Sequence, residues 1–164
     1  MKHVWILLGA LSLTACEGGV STDTSEAEPE LASETDASPA VEWLKAPGTE
    51  ELELPFSPAV RVGNTLYLSG ALGIVPGTRN LAKGGILGET QQVLENISAT
   101  LEDFGSSMDN VVKCTVFLAD IREWAAMNEI YMTFFPNKPA RSAVGISGLG
   151  LSARVEIECI AVID

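Results

Sequence analysis

The C-terminal stretch Arg154-Val155-Glu156-Ile157-Glu158-Cys159-Ile160-Ala161-Val162 decides the fold of this chain. Side chains of a β-strand point alternately to its two faces. One face of the predicted strand is wholly apolar and comprises Val155, Ile157, Cys159 and Ala161. The other face begins with Arg154, Glu156 and Glu158 and ends with Ile160 and Val162. Because the second face changes from charged to apolar, its charged half is expected where a buried surface meets an opening.

A single arginine precedes this strand in Pro139-Ala140-Arg141-Ser142, which we predict to be a loop. A guanidinium group binds a carboxylate through two parallel hydrogen bonds. A carboxylate side chain nearby can act as a general base. Arg141 and Glu156 therefore predict a site for a small carboxylate ligand. From the residues alone, Arg141 also fits a structural ion pair, and Glu156 also fits a solvated strand position.

Length and charge limit the possible functions. The chain has 164 residues, enough for one domain of ordinary size, and a formal net charge of −12. Half of the 22 acidic residues lie between positions 17 and 54, so the remainder of the chain is only mildly acidic. No basic run is present to neutralise phosphates, which argues against nucleic acid as a partner. Three cysteines are too few for a disulfide scaffold.

The N-terminus has the features of an export signal. An apolar run over 4–13 is shorter than the roughly 20 residues that span a bilayer. It ends in Leu13-Thr14-Ala15-Cys16, which resembles the bacterial lipobox. The resemblance implies a lipoprotein signal peptide over 1–15 and lipidation of Cys16, and the alternative is an ordinary secretory signal. Glu17 rather than aspartate after Cys16 favours the periplasmic side of the outer membrane.

Residues 16–40 contain mainly Ser, Thr, Glu, Asp, Ala and Pro. Such a composition buries too little apolar surface to offset the entropy of ordering. We predict a lipidated cysteine followed by a disordered acidic tether, although a binding role for the acidic residues stays open. The folded domain is predicted over 41–164.

Within this domain the patterns alternate between strand and helix. A short strand at 41–44 and a hairpin over 61–70 are followed by a helix from about Ile86 to Phe104 and a β-rich run over 111–118. Asp120 and Glu123 form a capping-box-like pair before a second helix that ends near Phe135. Its predicted apolar stripe comprises Ile121, Trp124, Met127, Tyr131 and Phe135. The order predicts an α+β domain with two helices on one mixed sheet.

Asn128 lies on or beside the stripe of the second helix, so its amide needs hydrogen-bond partners. It fits a residue that crosslinks the core, or a residue of a polar site. Cys114 and Cys159 fit packed strand thiols, and a disulfide between them is possible after export.

Six motifs together resemble the Rid family, also called the YjgF type, whose members are reactive intermediate deaminases. They are Pro55-Phe56-Ser57-Pro58-Ala59-Val60-Arg61-Val62-Gly63-Asn64, Leu68-Ser69-Gly70, Val111-Val112-Lys113-Cys114-Thr115-Val116-Phe117-Leu118, Asn128-Glu129-Ile130-Tyr131, Pro139-Ala140-Arg141-Ser142 and Glu156-Ile157-Glu158-Cys159-Ile160-Ala161-Val162. The resemblance covers about 41–164.

The resemblance implies a chorismate-mutase-like α+β fold and a homotrimer with clefts between subunits. It also implies hydrolysis of 2-enamine and 2-imine acids to 2-keto acids and ammonia, without metal or cofactor. Arg141 would bind the substrate carboxylate, and Glu156 would position or activate the attacking water. Asn128, Ser69 and Gly70 would line the cleft.

Some positions depart from the family pattern. Phe56 stands where many members have tyrosine, and Ala143 stands where they have cysteine or threonine. Gly145 and Ala71 replace a frequent glutamate and glutamine. These changes favour an alternative in which the pocket binds small carboxylates or a protein partner without catalysis. The nuclease activity sometimes attached to the family is disfavoured by the mildly acidic domain.

Overall fold

A computed structural model describes residues 38–45 and 54–163, and every structural statement below refers to these residues. The predicted signal peptide and most of the predicted tether lie outside them. The strands are β1 (Val41–Leu44), β2 (Ala59–Val62), β3 (Thr65–Leu68), β4 (Ala71–Leu72), β5 (Val111–Leu118), β6 (Ala140–Gly145) and β7 (Val155–Val162). The helices are α1 (Gly85–Asp103) and α2 (Trp124–Phe134). Neither described helix is long and apolar enough to cross a membrane.

The strands form one mixed sheet in the order β1-β2-β3-β7-β5-β6, with β4 paired to the first residues of β7. All pairs are antiparallel except β5 with β6, which is parallel. A parallel pair needs a crossover connection, and α2 supplies it. The predicted α+β fold, with two helices on one mixed sheet, is confirmed.

The inner strand β7 has the predicted alternation, although it begins one residue later, at Val155. Its apolar face is at most 2% exposed and joins the core. Helix α1 covers that face with Val93, Leu94, Ile97 and Leu101, all at most 1% exposed. We call this the covered face of the sheet.

The start of the second helix differs from the prediction. Asp120 accepts a hydrogen bond from the backbone N–H of Arg122, but it caps a 3₁₀ turn over Ile121–Glu123, and α2 begins only at Trp124. Glu123 forms an ion pair with Arg154, so no capping box is formed. Because Ile121 precedes the α-helix, the predicted stripe is wrong at its start: Ile121 and Trp124 are about half exposed, whereas Met127, Tyr131 and Phe135 are buried.

The predicted arginine loop is also corrected, because Ala140–Gly145 is strand β6. Proline cannot donate to a ladder, but Pro139 lies just before this edge strand, where no donor is needed. The Pro and Gly residues that flank the segment resemble loop signals in the sequence. The open edge of β5 and the crossover through α2 nevertheless pair it as a strand.

Of the two interpretations that the sequence left open for Cys114 and Cys159, packed thiols or a disulfide, the structure has the disulfide. Cys114 on β5 and Cys159 on β7 are direct partners in the antiparallel register, and a disulfide joins them. The sequence left this pairing open because it does not show which strands are neighbours.

Candidate active site

Arg141 lies on β6, paired in register with Cys114 of β5. Since Cys114 faces the core, Arg141 lies on the covered face, beside α2. Its Nη1 donates a 2.7 Å hydrogen bond to Oδ1 of Asn128. Its guanidinium carbon is 4.6 Å from the ring centroid of Tyr131 and 6.0 Å from that of Trp124, within the range of cation–π attraction. One amide and two aromatic rings therefore orient this guanidinium.

Among the described residues, Arg141 has no carboxylate partner. The other two arginines near α2 differ: Arg122 pairs with Asp120, and Arg154 pairs with Glu123. A half-buried cation held by neutral groups retains N–H donors for an anion. Burial raises the pKa of Tyr131 to about 12, although the charge of Arg141 opposes the rise. The phenol is therefore neutral near pH 7 and does not compensate the arginine.

A cavity of about 290 Å³ adjoins this group and is lined by Arg141, Asn128, Trp124 and Met132, among others. Its walls are mainly apolar side chains, and the guanidinium and the amide are polar groups within them. Such a cavity suits a small ligand that has a carboxylate and an apolar remainder.

Glu156 lies on β7, where it is paired with Leu72 of β4 and Phe117 of β5. Burial raises its pKa, and repulsion from Glu158 adds to the rise. Arg154, two residues before Glu156, pairs with Glu123. Glu156 is therefore a partly desolvated carboxylate that holds its proton more tightly than an ordinary glutamate.

Gly70 packs directly against the carboxylate of Glu156. A Cβ atom built at this position would lie 3.0 Å from Cδ of Glu156 and closer still to Oε1. The neighbouring Ser69 donates a 2.7 Å hydrogen bond from Oγ to the carbonyl of Ser57. Phe56, which precedes Ser57 in the sequence, is 55% exposed and borders a cavity of about 150 Å³ together with Ser69 and Gly70. Gly70 thus connects Glu156 with the cavity that Ser69 and Phe56 border, and we call these four residues the second group of predicted site residues.

The two groups do not meet within one chain. The register partners of Arg141 and Glu156 on β5 are Cys114 and Phe117, which are three residues apart. An odd offset places side chains on opposite faces of a strand. The Cα atoms of Arg141 and Glu156 are also about 10 Å apart across the strands, because two strand spacings separate them. Along the strands the three residue steps add a further separation of about 10 Å. Glu156 therefore lies on the face opposite to Arg141, which we call the open face.

Comparison with known proteins identifies the family. The family model described as Endoribonuclease L-PSP matches residues 48–163. The chain belongs to this family, which is also known as the Rid or YjgF family. It is 46% identical over 108 residues to RutC family protein PH0854 of Pyrococcus horikoshii, covering 65% of this chain and 86% of that protein.

A human relative named 2-iminobutanoate/2-iminopropanoate deaminase is 42% identical over 123 residues, which is 74% of this chain and 88% of the human protein. The solved structure of the Rid family protein YyfA from Yersinia pestis aligns with a TM-score of 0.70 at 36% identity. That alignment covers 76% of this chain and all of the other.

Ala143, the remaining predicted site residue of this Rid family chain, lies two residues after Arg141 and therefore on the covered face. It is half-buried and packs against the core. Its methyl group offers neither a donor nor a nucleophile beside the guanidinium.

Sequence reasoning missed the contacts of Trp124 and Tyr131 with Arg141, because it assigned both rings to core packing. A signal was present: the two rings flank Asn128 at positions −4 and +3, on one side of the helix. No group of three or more potential metal ligands occurs within 38–45 and 54–163.

Proposed function

We propose that this protein hydrolyses 2-enamine and 2-imine acids to 2-keto acids and ammonia. The observation that carries the proposal is the half-buried Arg141, which Asn128 and two rings hold without a counter-ion among the described residues. Relatives at 42–45% identity that are named 2-iminobutanoate/2-iminopropanoate deaminase support the reaction class.

In this proposal Arg141 binds the substrate carboxylate through two parallel N–H donors and thereby fixes the position of the adjacent imine carbon. Glu156 holds a water molecule and accepts its proton as the oxygen bonds to that carbon. Glu156 returns this proton to the nitrogen, which gives the neutral carbinolamine. The hydroxyl proton of the carbinolamine then passes through Glu156 to the nitrogen as the C–N bond breaks, and ammonia and the 2-keto acid are released. The raised pKa of Glu156 suits this step, because it makes the carboxylate a stronger base near neutral pH.

A homotrimer with clefts between subunits is part of the proposal. Arg141 and Glu156 lie on opposite faces of one sheet, so a shared substrate requires Arg141 of one copy and Glu156 of another. The open face suits such an interface, because it exposes large apolar side chains, including Trp43, Tyr67 and Val144. Self-association would cover these side chains and complete the site.

Export and membrane anchoring complete the proposal. Residues 1–15 would direct export, lipid on Cys16 would anchor the chain at the periplasmic side of the outer membrane, and 16–40 would tether the domain at 41–164. The support is the apolar run before Leu13-Thr14-Ala15-Cys16, together with the disulfide between Cys114 and Cys159, a bond typical of oxidising compartments. Membrane capture of wild type, lost in Cys16→Ser, is the expected result.

Catalysis is tested by competition for imines. An amino-acid oxidase generates 2-imino acids in the presence of semicarbazide, which traps them. The full chain should lower trapping, whereas Arg141→Ala should not. Arg122→Ala is the matched control, because Arg122 is exposed and pairs with Asp120 outside both groups of site residues. Trapping that stays unchanged with folded, trimeric wild type would overturn the proposal.

A carboxylate-binding module is the second candidate. Phe56 and Ala143 favour it, because neither supplies a hydroxyl or thiol to the site. Calorimetric titration with 2-keto acids separates the candidates: saturable binding that requires Arg141, without imine turnover, would identify a binding module.

A further inference from the structure

Cys114 and Cys159 form a covalent link between neighbouring inner strands of the sheet. They are register partners on β5 and β7, their Cα atoms are 4.1 Å apart, and a disulfide joins them. Both are at most 2% exposed. The bond closes a loop with a sequence separation of 45 residues that includes all of α2 and β6.

The position of this disulfide gives it a defined structural role. On one side of it lies β7, which carries Glu156 and is followed by β3, β2 and β1. On the other side lie β5 and β6, and Arg141 is in register with Cys114. The disulfide therefore joins the two halves of the sheet, each of which carries one half of the candidate site.

We propose that this pair is a site of oxidative maturation: the folding chain passes two electrons and two protons from Cys114 and Cys159 to a disulfide donor outside the cytoplasm. One S–S bond forms in the chain, and the donor's S–S bond is reduced to two thiols. The donor is a protein of the thiol–disulfide oxidoreductase class, and oxidised glutathione replaces it in vitro. The dithiol form is a less stable precursor. The inference rests on the export proposed above, and it does not depend on the deaminase reaction.

Burial indicates when this oxidation takes place. Met127 and Tyr131 of α2 belong to the buried cluster that contains both cysteines. A donor must reach the thiols before this cluster closes, because disulfide exchange requires attack on an accessible sulfur. Once closed, the folded domain shields the bond from reductants. Oxidation therefore accompanies folding and does not switch the finished protein.

The first test counts thiols in the full chain carrying Cys16→Ser, whose only cysteines are Cys114 and Cys159. The protein is exported to an oxidising compartment, unfolded in denaturant with iodoacetamide and weighed by mass spectrometry. The expected result is no alkylation, against two alkylated cysteines after reduction in denaturant. Two free thiols in the exported protein would overturn the proposal.

The second test compares Cys114→Ala, Cys159→Ala and the double variant in the same background. If a disulfide is lost, each single variant should lower Tm by about as much as the double variant, by roughly 10–20 °C. Reduction in denaturant followed by refolding under reducing conditions should lower Tm in the parent and leave the double variant unchanged. Small, additive losses with no effect of reduction would show two independent thiols and overturn the proposal.

Discussion

The two faces of the sheet surround their charged site residues with different neighbours. On the covered face, Arg141 is enclosed by Asn128 and two rings, which orient it among largely apolar surroundings. On the open face, Glu156 lies against a glycine and beside a second carboxylate. The cation is held by neutral neighbours, and the anion is destabilised by burial and by like charge.

The difference shows how strand alternation shapes the site. The period of two that places Ile157 and Cys159 in the core also directs Glu156 away from Arg141. One chain can therefore offer an oriented cation or a desolvated base, but not both to one ligand. A second copy that meets the open face, as in the proposed homotrimer, would remove this limit.

The largest effect is expected from a variant that changes the guanidinium group on the covered face. Arg141→Lys should lower kcat/KM for imine hydrolysis by about 100-fold or more, because an ammonium group cannot make the two parallel bonds to a carboxylate. Steady-state kinetics on oxidase-generated imines measure the loss. Arg122→Lys, at an exposed ion pair, is the control and should remain near wild type. A lysine variant with nearly full activity would show that Arg141 does not bind the substrate carboxylate.

The second-largest effect is expected from a variant that displaces Glu156 on the open face without unfolding the domain. Gly70→Ala would force the carboxylate of Glu156 to move, and we expect kcat to fall about 10- to 100-fold with little change in Tm. Only the end of a flexible side chain has to shift, so the folded state loses little stability.

Gly73→Ala provides the contrast for this variant. Its Cβ would lie 2.6 Å from the carbonyl oxygen of Glu89, which is backbone of α1 and cannot rotate away. Overpacking of this kind typically costs about 1–3 kcal/mol of unfolding free energy. If Gly70→Ala lowered stability as much as Gly73→Ala, its loss of activity would reflect unfolding and say nothing about Glu156.

How much the sequence predicted depends on the type of contact. The alternation of β7, the span of α1 and the fold class follow from local periodicity, and they are confirmed. The strand around Arg141 was missed and the Cys114–Cys159 bond was left open, because both depend on which strands lie side by side. The Arg141 contacts of Trp124 and Tyr131 needed the same information. Site residues could be identified from motifs, but their distribution over two faces required the register.

A smaller effect is expected from a variant that tests why the neighbours of Arg141 are neutral. Asn128→Asp would place a carboxylate beside Arg141, and the substrate would have to compete with it for the guanidinium. We expect KM to rise about tenfold, with Tm unchanged or slightly higher because an ion pair is gained. Inhibition by 2-keto acids should weaken in parallel.

Asn128→Ala separates charge competition from lost orientation. It removes the same hydrogen bond without adding an anion, so its KM should lie between those of wild type and Asn128→Asp. Equal values for the two variants would show that orientation alone accounts for the role of Asn128.

The smallest effect concerns the pH dependence on the open face. Burial, with the charge of Glu158 as the second cause, raises the pKa of Glu156 above its ordinary value. A base must be ionised, so kcat should rise with pH through this raised pKa. Glu158→Gln removes the repulsion, lowers the pKa of Glu156 and should shift the acid limb of the pH profile to lower pH. An unshifted limb would mean that burial alone sets this pKa.

The free energy of unfolding should fall as pH rises through the pKa of Glu156, whereas kcat should rise. The folded state binds the proton of Glu156 more tightly than the unfolded chain does. Protonated Glu156 therefore contributes fully to the stability of the folded state below the unfolded-state pKa, and this contribution is lost as pH rises through the folded-state pKa. Glu156→Gln removes this dependence, and its unfolding free energy should vary less with pH than that of wild type. Denaturant titrations of both proteins across the acid range measure the difference. The burial that makes Glu156 a stronger base would thereby also make the folded domain less stable at the pH where the base is ionised.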